Sequence, residues 1–112
     1  MTPDFDISSD VLYGIAQLAL DEVEGLTPVT PPVRMGEILT GRRAKGILVE
    51  REGERLGFHL SVRVRYGLAI PEVARAAQRA VREAVSSMTG LTVETVEVSV
   101  EAIDVPEELS RG

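Results

Sequence analysis

The stretch from Leu56 to Asp104 constrains the fold most, because two alternating runs flank a proline-started, alanine-rich segment. In LGFHLSVRVRY, Phe58, Leu60, Val62, Val64 and Tyr66 are apolar and alternate with polar His59, Ser61, Arg63 and Arg65, the period of a strand buried on one face. VETVEVSVEAID repeats the period, with Val96, Val98, Val100 and Ala102 on one side and Thr95, Glu97, Ser99 and Glu101 on the other. Between them, Val73, Ala77, Ala80, Val81, Ala84 and Met88 recur at helical spacing, and Glu72, Arg75, Gln78, Arg79, Arg82 and Ser86 point away. Pro71 suits the first helical position, Glu72 the positive end of the helix dipole, and Gly90 its terminus. The pattern predicts a βαβ unit with a parallel, right-handed return.

The earlier chain supplies a second helix and a hairpin. Ser8 caps a helix predicted from Ser9 to Glu24, with a stripe of Val11, Leu12, Ile15, Ala16, Leu18, Ala19 and Val23, and Gly25 is placed to end it. Residues 26–45 hold Pro28, Pro31, Pro32, Gly36 and Gly41 without a sustained period and read as a loop, with a turn of helix near 36–39. GILVER, from Gly46 to Arg51, pairs with the strand from Leu56 across the turn at Gly53. The expected architecture is an α+β fold, a small two-layer sandwich of order α-β-β-α-β. Two main helices lie on one face of a mixed sheet of three to four strands, a further short strand at 4–7 being one variant. One domain spans 1–104, and DVPEELSRG leads into a polar tail over 105–112.

Charge is segregated along the 112 residues. Residues 1–33 carry six acidic and no basic side chains, residues 34–82 eleven basic and five acidic, and residues 83–112 seven acidic and one basic. On the open sheet face, Arg63 and Arg65 are expected near Glu97 and Glu101. Asp21, Glu22 and Glu24 crowd the first helix's C-terminal end, where negative charge opposes the dipole, so local physics gives them no reason to be there. Across the chain, no run reaches the roughly 20 apolar residues that span a bilayer. The acidic start, MTPDFD, lacks the pattern of a signal peptide.

Few residues suggest chemistry. The chain has no cysteine, which removes thiolate nucleophiles and thiolate metal sites, and its one histidine, His59, has no ligand-spaced neighbours. Gly36 and Gly41 have P-loop glycine spacing, but Arg42 and Arg43 stand where Lys and Ser or Thr are required. No catalytic residue, metal or cofactor is expected. Two basic features remain: the GRRAKG segment with Arg42, Arg43 and Lys45, and the helical stripe Arg75, Arg79 and Arg82. They suit either an anionic surface of a protein partner or, as the alternative, a small nucleic-acid-binding module using 41–46 and the Arg stripe. An acidic chain with few aromatics and no GXXG or RNP motif argues against the latter.

The run YGLAIPEVARAAQRAVREAVSSMTGLTVETVEVSV resembles the alkaline-shock and general-stress proteins of bacteria, the envelope stress response family. Its pattern falls on Tyr66, Gly67, Ile70, Pro71, Glu72, Val73, Met88, Thr89, Gly90 and Leu91. The helix ending Glu22, Val23, Glu24, Gly25 and the basic lead-in Gly41, Arg42, Arg43, Lys45 to Gly46 agree with it, so the resemblance covers residues 7–104. It implies a non-enzymatic cytoplasmic protein of cell-envelope homeostasis, acting by self-association or by docking on a membrane-anchored partner at the inner face of the membrane. Ile70, Pro71, Val73 and Gly90 read as structural. Glu22, Glu24, Arg42, Arg43, Lys45, Arg75, Arg79 and Arg82 are the candidate contact residues.

Overall fold

The structure, a computed structural model, describes residues 6–29, 43–44 and 46–107. In chain order these form α1 (Ser9–Asp21), β1 (Leu26–Pro28), β2 (Arg43–Ala44), β3 (Ile47–Glu52), β4 (Arg55–Arg65), α2 (Ile70–Thr89) and β5 (Thr92–Asp104). β4 is the centre of a mixed five-stranded sheet. Parallel β5 lines one of its edges from Arg55 to Arg65. The other edge takes antiparallel β3 over Arg55–Leu60 and antiparallel β1 over Val62–Val64, end to end, and β2 pairs the far side of β3. Ser61 is the joint, accepting from Val29 N–H at 2.9 Å and donating to Gly46 O at 2.8 Å. Gly46 must be glycine here: its φ is +78°, and a Cβ would lie 2.1 Å from Val29 O.

Both helices cover one face. α1 lies against β1 and β3, α2 against β5, and the helices pack on each other. The core joins Leu12, Ala16 and Leu20 of α1 to Phe58, Leu60, Val62 and Val64 of β4 and to Val73, Ala77, Val81 and Val85 of α2. Most of these side chains are small aliphatics, which lets the helices approach the sheet closely. The predicted sandwich, its α-β-β-α-β order and its parallel return are all present.

Several boundaries differ from expectation. The segment read as a loop over 26–45 contributes β1 and β2, strands of three and two residues, too short to show a period. Pro28 fits at the end of β1 because that strand pairs with only β4 among the described residues. α1 stops at Asp21 rather than Glu24, since Glu22 N–H and Val23 N–H bond Ala19 O and Leu20 O three residues back and tighten the last turn. Residues 6 and 7 are not in a strand, and the predicted turn at 36–39 lies outside the described residues.

Two bulges reset β5. Leu56 pairs with Val93 but Gly57 with Thr95, and Val62 pairs with Val100 but Arg63 with Ala102, so Glu94 and Glu101 are the extra residues. Beyond the second bulge Ile103 stands opposite buried Val64, and Ala102, expected on the apolar side, turns to the open face. Among other residues placed on apolar faces, Tyr66 is exposed because β4 ends at Arg65. Val11 and Leu18 lie on the outer flank of α1, and Met88 lies in the last turn of α2; all three are exposed.

Candidate interaction surfaces

The outer side of α2 presents Arg75, Arg79 and Arg82 at successive turns around a shallow depression of about 300 Å³ that Gln78 and Glu83 also line. They are not equivalent. Arg82 turns onto the start of β5, its Nε 3.5 Å from Val93 O and a terminal nitrogen 3.4 Å from Glu94 O. Gln78 Nε2 donates to Val96 O at 2.9 Å. Arg75 and Arg79 are exposed and pair with no described residue. A repeating arginine stripe in sequence is therefore two cations without a partner among the described residues plus one guanidinium committed to backbone carbonyls.

At the other charged surface, the end of α1, the carboxylates divide in the same way. Glu24 lies 3.9 Å from Arg65, both well exposed. Asp21 and Glu22 are exposed, and their carboxylates meet no described cation. Lacking a basic residue in its last turn, α1 leaves these charges against its own dipole. Arg43 lies in β2 and is described only by its backbone, and Arg42 and Lys45 lie outside the described residues.

The open face of the sheet is a ladder of opposite charge. Arg55 meets Glu94 at 3.1 Å, and Arg63 meets Asp104 at 3.5 Å. The expected pairing of Arg63 and Arg65 with Glu97 and Glu101 does not occur. Parallel register sets His59 beside Glu97 and Arg65 beside Asp104, while Arg65 reaches back to Glu24 and Glu101 accepts from Ser99 Oγ at 2.5 Å. Between Arg55 and Arg63, His59 Nε2 lies 2.7 Å from Glu50 and Nδ1 lies 3.5 Å from Glu97. Neither carboxylate nor the histidine was legible as a group in sequence, because they come from three strands. Their contacts are to opposite ring nitrogens, so their donor atoms do not converge on one point. No set of three such side chains among the described residues is arranged to hold a metal ion. No helix among them is long and apolar enough to cross a membrane.

Comparison with known proteins agrees with this architecture. The chain is 29% identical over 105 residues to Uncharacterized protein YloU of Bacillus subtilis (strain 168), covering 89% of this chain and 88% of that one. Its fold is similar to that of a zinc form of the MamM CTD, with a TM-score of 0.52 at 17% identity over 84% of this chain and 85% of that chain. At that identity the likeness is one of fold. Residues 2–105 match the model of the alkaline shock protein family, described by a cell envelope-related function, and the chain belongs to that family.

Proposed function

We propose that this chain is a non-enzymatic interaction protein that serves its envelope-related role by self-association, copies meeting head to tail through α2 and the end of α1. One observation carries the reading: Arg75 and Arg79 on one surface, and Asp21 and Glu22 on another, are exposed, opposite in charge and unmatched among the described residues. A contact between two different surfaces repeats, closing a ring or extending a filament. Assembly places Arg75 and Arg79 of each copy against the next copy's α1 end, where the helix dipole gains cations that its own last turn lacks. A membrane-anchored partner with the same acidic chemistry would dock on the same arginines. In that case the protein reaches the cytoplasmic side of the envelope through the partner.

Exposed ion pairs are each worth under about 1 kcal/mol and are screened by salt. The association is accordingly weak and salt-sensitive. Sedimentation of the purified chain over a range of concentration tests this: assembly at low salt that dissolves at high salt is expected, and assembly strengthened by salt would point to an apolar contact instead.

A further inference from the structure

We propose that the second half of the outer edge of β5, from Glu97 to Asp104, takes up an extended segment of a protein partner whose residues alternate apolar and basic, added to the sheet as a further strand. This surface is separate from the charged helix surfaces of the proposed assembly, so each idea stands or fails alone.

The backbone fixes which groups are offered. Thr92 N–H donates to Glu54 O at 3.1 Å and Asp104 O accepts from Tyr66 N–H at 2.9 Å, so both ends of β5 turn these groups toward β4. Alternate residues turn theirs to the opposite edge. Val93 O and Val96 O do so, and there Arg82 and Gln78 of α2 cover them. Past Val96 that cover stops: the outward N–H and C=O groups of Val98, Val100 and Ile103 bond no described residue. An uncovered edge of this kind is a template for a pairing strand.

Side chains select the occupant. On the helix side, Val98 and Val100 are half-buried and Ile103 is 38% exposed, an apolar row that a strand beside them would extend. On the open side and at the two bulges β5 carries Glu94, Glu97, Glu101 and Asp104, with no basic residue along its length. Two copies pairing β5 to β5 would set these carboxylates against one another, which is destabilising. Its inner edge already shows what β5 accepts: β4 alternates buried Phe58, Leu60, Val62 and Val64 with His59, Arg63 and Arg65. A strand of the same chemistry fits the outer edge.

A blocked peptide of alternating valine and lysine, about as long as an ordinary short strand, is the probe, titrated into the full chain with backbone amide exchange as readout. Protection of the Val98, Val100 and Ile103 amides is expected. The same peptide N-methylated on one edge keeps its charge and cannot pair, and a valine–glutamate peptide keeps the pattern and reverses the charge; both should bind at least about tenfold more weakly. Val100→Pro removes one outward N–H at a position where edge proline is tolerated, and Glu101→Lys reverses one charge at a bulge. Each should weaken the lysine peptide, and the second should favour the glutamate peptide. Equal binding of the N-methylated or acidic peptide overturns the proposal, as does protection of these amides in the unliganded chain that rises with its concentration, which would give the edge to a second copy.

Discussion

Arg82 in α2 reaches the Val93 carbonyl of β5 at 3.5 Å, and Gln78, one turn earlier, reaches Val96 O at 2.9 Å. These two side chains tie the helix to the rim of the edge strand. Polar residues on an outward helical face thus act in packing, and the stability of α2 on the sheet depends on them as well as on its alanine row.

Gln78→Leu is therefore expected to destabilise the fold by about 1 kcal/mol, the ordinary net value of a hydrogen bond whose carbonyl partner stays partly hydrated. Ala80→Leu, on the partly buried side of α2, should cost about 1 to 3 kcal/mol by overpacking. Chemical denaturation of both variants measures the pair. An unchanged midpoint for Gln78→Leu would mean the bond to Val96 O contributes nothing in solution.

Gly46 and Gly53 both adopt positive φ, at +78° and +62°, but only Gly46 sits against backbone, since a Cβ on Gly53 would meet nothing within 4 Å. Gly53→Ala should cost only about 1 kcal/mol, the left-handed penalty alone. Gly46→Ala adds a clash with Val29 O and should cost on the order of 3 kcal/mol or more. Thermal unfolding of the two variants orders them. Equal losses would show that the junction of β1, β3 and β4 at Ser61 opens freely.

The long periodic elements were legible in sequence and the short ones were not. β4 and α2 carry enough repeats for their faces to be read, whereas β1 and β2 have three and two residues and are held by β4 and β3 rather than by their own pattern. The bulges in β5 left a trace: Val93 and Val96, then Val100 and Ile103, are three apart where an unbroken strand needs an even spacing. Charge was legible as blocks but not as pairs. Arg63 finds Asp104, and Arg65 finds Glu24, because register and a turn decide their neighbours. Likewise no helical wheel distinguishes Arg82 from Arg75 and Arg79; only the position of the β5 rim does.

Nucleic acid is the rival ligand for the arginines of α2, and counterion release would make its binding fall steeply with salt. With Arg82 occupied by carbonyls and β5 lined by carboxylates, labelled single- and double-stranded RNA and DNA are expected to show no binding at physiological salt. Binding lost in Arg75→Glu/Arg79→Glu would transfer that surface from protein to nucleic acid.

If Arg75 and Arg79 of one copy meet Asp21 and Glu22 of the next, two charge-reversed chains should complement each other. Arg75→Glu/Arg79→Glu and Asp21→Arg/Glu22→Arg should each fold, since the replaced side chains are exposed and pair with no described residue, and each should sediment as a monomer at low salt. Mixed in equal amounts, they restore opposite charge at every junction, so the mixture should assemble while its components do not. A mixture that stays monomeric when the wild type assembles, or a single reversed chain that assembles as the wild type does, would contradict the account.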